Sequence, residues 1–362
     1  MGVRECQESH TRTRLGSEFL RLPVAGRRKR AKIATLMFTS RFFQFRFAIL
    51  LLTLAGILVP VARTFAQQSG AASWVVVDTH SSRILMEQNG DKRRSVDGFA
   101  GVATALVAID WSQRAGVDLN ASATVPGFVA TAGVGNPMGL QPGDQVSMRD
   151  LIYSVVLGAD DAACLTIATN VGQDLQMRRG RQGDPVGEFV KEMNLLAAMN
   201  SMRGTRFQTP HGGNWGRTAG GVTTTRDLAR LAVYAMANPG YRFYSMQAER
   251  AVAISRAGAT FRFRISNSNR YAGKAGVDGV KSVGRAAGGP GAILTSKRNP
   301  EVTHLPDGRT VLYPRRVIAV ADGAADSVGV AWQLLNAGWQ EFDRWSAQGR
   351  PMENLRALNT TR

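Results

Sequence analysis

The sequence predicts an α+β domain in which an antiparallel sheet is built from both chain ends and a helical subdomain fills the middle. Three observations predict it: β-branched runs open the folded part, the middle third carries apolar residues at helical spacing, and strands return before a final amphipathic helix.

In chain order, Ser73–Asp78 is apolar and β-branched, Thr79–Ser82 interrupts, and Arg83–Glu87 resumes, which predicts a β-hairpin. Val102, Leu106, Val107 and Ile109 then fall on a helical repeat, so a helix follows Gly98. Met138–Asp144 reads as a turn, with Ser147 capping a helix over Met148–Leu157. Further helices are expected over Ala162–Asn170, Glu188–Met202 and Thr225–Ala237, the last capped by Thr223, Thr224 or Thr225. Strands are expected at Val277–Ser282, Ala292–Ser296 and Val317–Ala321, with a terminal helix over Ser327–Phe342.

The 362 residues divide by composition into residues 1–66, a small-residue linker at 67–72, a domain at 73–343 and a polar tail at 344–362. Residues Phe47–Val61 form an apolar run of about 15 residues behind Arg41 and Arg46. That length is short for a membrane span and suits an export signal cleaved near Ala66. An uncleaved anchor is the alternative, and it would be the chain's only membrane contact. Met37 would begin a signal of ordinary length, which makes the upstream stretch a candidate mis-set start.

The formal net charge of +18 could suggest nucleic acid, but its distribution argues otherwise. Residues 1–66 hold twelve Lys and Arg against three Asp and Glu, and the remaining excess forms no basic helix, zinc-finger spacing or aromatic-interleaved stripe. An anionic cell envelope is the simpler partner. Cys164 is the only cysteine beyond the signal and sits among apolar neighbours, so no intramolecular disulfide and no cysteine-pair metal site is expected. The four histidines show no i, i+4 pair; neither a metal nor a cofactor is implied.

The order of elements and several stretches resemble the low-molecular-weight penicillin-binding proteins, the serine D-alanyl-D-alanine carboxypeptidases of peptidase family S11. They are SWVVVDTHSSRIL, VATALVAIDW, NPMGLQPGDQVSMRDLIYSVVLG, TRFQTPHGG with VTTTRDLARLA, GVDGVKS and AVADGAADSVGVAWQLLNAGW, between about residues 73 and 343. The resemblance implies the DD-peptidase/β-lactamase-like fold, export to the periplasm or cell envelope, and peptidoglycan stem peptides or a cell-wall protein as partner.

It also implies three motifs facing one cleft: S-x-x-K, S-x-N and K-T-G. In the first, serine attacks a peptide carbonyl, and lysine one turn later on the same helical face accepts its proton. Here the matching stretch is Gly98-Phe99-Ala100-Gly101, with glycine at both functional positions. No serine in the chain has a lysine three residues on, and Ser95, the nearest hydroxyl, is followed at that spacing by Gly98. The second motif falls on Ala159-Asp160-Asp161 and the third on Lys281-Ser282-Val283, or on Gly284 at its last position after a one-residue insertion.

Loss of a nucleophile or base costs a serine hydrolase on the order of 10⁶ in kcat. The catalytic positions Gly98, Gly101, Ala159 and Asp161 are therefore read as degenerate. Lys281 and Ser282 are expected to keep an anion site for a peptide carboxylate, with Asp161 pairing to Lys281 and competing for it. Asp160 and Asp161 read as capping or solvated acids, and His211 as a framework residue. Three functions stay open: a non-catalytic peptidoglycan-binding or scaffolding protein, an active carboxypeptidase, and a purely structural envelope protein.

Overall fold

The protein is described from a computed structural model over residues 70–284, 289–351 and 357–358. The expected export signal, the linker residues 67–69 and most of the polar tail lie outside the described residues.

The central sheet has five strands in the order β10-β11-β12-β1-β2, all antiparallel. They are β1 (Ser73–Asp78), β2 (Ile84–Gln88), β10 (Val277–Val283), β11 (Gly291–His304) and β12 (Thr310–Asp322), so both ends of the folded chain share it, as the sequence predicts. The strand period sorts β1 between two cores: Trp74 and Val76 enter one apolar cluster, Val75 and Val77 the other. A sheet covered on both faces explains why this strand reads as a continuous apolar run.

One face is covered by α7 (Ser327–Ala347). Gly338 permits the approach, since a Cβ there would stand 2.4 Å from Val76 Cγ1. Trp339 Nε1 donates to Ser296 Oγ at 2.8 Å and fixes the helix along the sheet. The helix runs past the expected end at Phe342, burying Trp345, and Leu358 returns to the body by donating its N–H to the Ser82 carbonyl at 2.9 Å. The expected tail therefore contributes apolar residues to the packed body.

Against the other face lie α5 (Thr225–Ala237) and α6 (Pro239–Ser245), and α1 (Ala100–Ala115), α2 (Met148–Gly158), α3 (Asp161–Arg178) and α4 (Pro185–Met199) complete the helical layer. Side-chain caps start most of them: Ser147 accepts from Asp150 N, Asp160 from Ala163 N, Asp184 from Val186 N and Gly187 N, and Thr224 from Asp227 N. A three-stranded sheet, β3 (Arg94–Ser95), β7 (Gly221–Thr223) and β6 (Arg206–Phe207), flanks this layer.

A four-stranded sheet joins β4 (Ser122–Thr124), β5 (Gln145–Ser147), β8 (Glu249–Arg256) and β9 (Ala259–Ser266). The β8–β9 hairpin was not among the expected elements. No helix among the described residues is long and apolar enough to cross a membrane.

Candidate functional site

The three stretches read as motif positions converge where the start of α1, the junction between α2 and α3, and strand β10 meet. Gly98 lies in a single 3₁₀ turn, Asp97–Phe99, that leads into α1. The turn is held against the sheet by the buried Phe99 ring, which leaves no room for a side chain on Gly291 of β11: a Cβ there would fall 2.4 Å from it. Ser95 is committed to Asp97, donating to Oδ1 at 2.7 Å, a local role for the nearest hydroxyl.

The volume beside the two glycines is occupied by the third motif. A Cβ on Gly98 would meet Val283 Cγ1 at 3.1 Å, and one on Gly101 would meet Val155 Cγ1 at 3.1 Å and Lys281 Cε at 3.3 Å. The register of β10 on β11, with Val283 opposite Gly291 and Lys281 opposite Ile293, directs both side chains to this helical side. Cys164 completes the wall, its Sγ 3.9 Å from the same virtual Cβ of Gly101; burial pushes its thiol well above the usual range.

Lys281 corrects the expectation of an open anion site on the strand edge. It is 1% exposed, and its Nζ donates to the Val155 carbonyl at 2.7 Å and the Val156 carbonyl at 3.4 Å. These carbonyls lie in the last turn of α2, where helix geometry leaves C=O groups without intrahelical donors and the macrodipole is negative. The ammonium has a local partner of the right sign. Burial nevertheless lowers its pKa to about 8, with the charges of Cys164, Asp161 and Asp160 pulling the other way.

Ser282 is also spent internally. It is 3% exposed and its Oγ donates to Ser268 Oγ at 2.7 Å, which ties β10 to the segment after β9. Gly284, the alternative last position of the motif, has open space about its Cα, whereas Val283 is the residue packed on Gly98.

At the second motif, Ala159 is the left-handed C-cap of α2, with φ 53° and ψ 48°. Asp160, fully buried, caps α3: Oδ1 accepts from Ala163 N at 2.9 Å, and Oδ2 accepts from Ser154 Oγ at 2.8 Å. Asp161 accepts from Gly135 N at 3.3 Å, while the Gly135 carbonyl takes the N–H groups of Asp161 and Ala162, both at 3.0 Å. Burial raises the Asp161 carboxyl to about 6; the Gly135 N–H and the Lys281 charge oppose this, and the Asp160 charge adds to it. The two residues feel each other's field without the expected contact pair, because the Lys281 Nζ is turned to the α2 carbonyls.

His211 is 2% exposed and held neutral, its pKa lowered to about 4 by burial. Its Nδ1 accepts from Gly213 N at 3.0 Å, the local packing role read from the sequence. Among the described residues no group of three or more His, Cys, Asp or Glu side chains is gathered as a metal site would need.

Two residues escaped sequence reasoning. Gly135 is the backbone clamp on Asp161, and Val155 is the acceptor for Lys281. Gly135 lies in a loop with no periodic signal, and the Val155 role depends on a carbonyl that no side-chain pattern reveals.

A central antiparallel sheet with a helical layer, and three motif positions meeting at β10 and the start of α1, define a protein of the penicillin-binding, DD-peptidase class. Residues 61–299 match the D-alanyl-D-alanine carboxypeptidase family model, peptidase S11, and the chain belongs to that family.

It is 28% identical over 235 residues to D-alanyl-D-alanine carboxypeptidase DacC of Escherichia coli K12, covering 62% of this chain and 53% of that protein. To DacD of the same organism it is 28% identical over 287 residues, covering 75% of this chain and 64% of the relative. The matches thus span 53% and 64% of the length of these curated relatives. In fold it is similar to the Streptomyces K15 DD-transpeptidase, with a TM-score of 0.59 at 20% identity over 77% of this chain and 97% of that one. Penicillin-binding protein 6B of Escherichia coli gives a TM-score of 0.54 at 24% identity over 77% and 78% of the respective chains.

Proposed function

We propose that this chain is a non-catalytic member of the S11 family, exported to the cell envelope, where it serves as a peptidoglycan-binding or scaffolding protein. The observation that carries this reading is the filled cleft: glycine at 98 and 101, with Val283 and Lys281 packed against them. Acyl transfer by this family's route needs an oxygen nucleophile to form a bond to the peptide carbonyl carbon while a neighbouring base takes its proton. Neither atom exists at these positions, and Lys281, whose stem runs past Gly101, has its Nζ donated to α2 carbonyls.

The side chains that would hold a peptide carboxylate, Lys281 and Ser282, are both buried and both satisfied. This supports wall contact through surfaces other than the former substrate subsite. Export is supported by the apolar run Phe47–Val61 behind its arginines.

Two assays on the full chain test the reading. Incubated with a stem peptide ending in D-Ala-D-Ala, it should release no D-alanine above a protein-free blank, and it should co-sediment with purified peptidoglycan. Release of D-alanine overturns the non-catalytic half. Failure to sediment with the wall overturns the peptidoglycan-binding half and leaves a structural envelope protein.

A further inference from the structure

A second concave site lies elsewhere, between the C-terminal end of α3, helix α4 and the β3-β7-β6 sheet, as a groove of about 860 Å³. None of the degenerate motif positions lines it, so it stands independently of what the cleft does. Six cationic side chains line it, Arg93, Arg179, Arg181, Lys191, Arg203 and Arg206, against the two carboxylates Glu188 and Glu192.

Those two carboxylates are already matched. Glu188, 2% exposed, accepts from Lys191 Nζ at 2.9 Å, Arg179 Nη1 at 2.9 Å and Arg181 Nη1 at 3.1 Å. Glu192 accepts from Arg179 Nη1 at 2.8 Å. Elsewhere in the lining Arg93, Arg203 and Arg206 are exposed, and their side chains make no ion pair among the described residues. Three arginines without an ion-pair partner among the described residues therefore line a groove whose two carboxylates are already paired.

Like charges gathered in a concavity repel one another and concentrate anions there. A guanidinium offers a planar fork of N–H donors, which one carboxylate fills bidentately. A phosphate group offers more oxygens around one centre, so two forks can share it, and several such groups are needed to answer three free cations. Leu195 and Val222 bring exposed apolar side chains to the same groove, room for the carbon skeleton between charged groups. We propose that this groove binds a phosphate-bearing polymer, two or more of whose phosphate groups meet these arginines: a chain can lie in a concavity that a planar headgroup array does not enter.

The test uses the full chain, the exposed-site variant R203A/R206A, and a control, R262A/K297A, that removes the same charge from exposed positions outside the groove. Sodium tripolyphosphate is titrated calorimetrically at about 50 mM salt, and flotation with phosphatidylglycerol vesicles is compared with phosphatidylcholine vesicles. Binding of tripolyphosphate is expected, weakened about ten-fold or more in R203A/R206A and less than about two-fold in the control. Flotation with phosphatidylglycerol vesicles that R203A/R206A abolishes, without tripolyphosphate binding, would assign this face to a membrane surface and overturn the proposal. Binding to neither probe, or an equal loss in both variants, overturns the proposal.

Discussion

The cleft and the groove handle positive charge in opposite ways. In the cleft, Lys281 is buried and its ammonium is consumed by carbonyls at the end of α2. In the groove, Arg93, Arg203 and Arg206 lie exposed with no ion-pair partner among the described residues. A buried charge must find an internal partner or be neutralised, so it is withdrawn from ligand binding, whereas an exposed cation keeps its hydration and can exchange it for a ligand. The position of a lysine in a family motif is thus no measure of its availability; the solvent around its Nζ is.

The strongest way to break this contrast is to rebuild the first motif. G98S/G101K forces side chains into space held by Val283 at 3.1 Å and by Val155 and Lys281 Cε at 3.1 and 3.3 Å. Overpacking together with a second buried ammonium should cost about 3 kcal/mol or more in urea unfolding. Adding V283G should recover part of the loss, because it clears the Gly98 side of the contact. A double variant as stable as the parent would mean that the cleft is open.

Removing Lys281 comes next. K281A leaves a cavity and two carbonyls without their donor, and about 2 to 4 kcal/mol of stability should be lost. K281M keeps most of the stem and discards the charge, so its cost should be less than half as large, read from the same denaturation curves. Equal costs would show that the charge, and not the filled volume, is what holds the site together.

A smaller effect separates the charged groups by pH. With its pKa lowered to about 8 in the folded state, Lys281 binds its proton less tightly than in the unfolded chain. The unfolded state then carries more bound proton between about pH 8 and 10.5, and stability contributed by this group rises with pH through that window. Asp161, raised to about 6, binds its proton more tightly when folded, so its contribution falls as pH climbs from about 4 to 6. K281M should flatten the alkaline slope and D161N the acidic one, and because each charge favours the ionised form of the other, the window of the remaining group should widen in each variant. Exchange of those effects between the two variants would show that the titrations are assigned to the wrong groups.

Much of the fold was legible because its signals are local. The β1 run, the Ser147 and Thr224 caps and the apolar spacing of α1 each report on their own segment. The β8–β9 hairpin carried a readable signal as well, with Phe261, Phe263 and Ile265 alternating with Arg262 and Arg264 beyond the Ala257-Gly258 turn. Its outer strand is mostly exposed, so the alternation does not mark a conventional buried face. The second half of α3 was missed for a related reason, since its last turns are polar and only partly buried.

The candidate site was legible in residue identity and not in direction. Glycine at 98 and 101, aspartate at 161 and lysine at 281 were all located from the motif order. That Lys281 turns inward follows from a volume exchange: small residues on α1 vacate space that Val283 and the lysine stem fill. The sequence held both halves of that exchange, glycine where the first motif has side chains and valine where the third has glycine. Only the register of β10 on β11 brings them together.

The filled cleft is tested most directly by the intact mass of the protein after incubation with benzylpenicillin. The mass should be unchanged, because Gly98 offers no atom to acylate and no serine has a lysine at the required spacing. A gain of one drug mass, mapped by peptide digestion to a serine at the α1–β10 junction, would contradict the account.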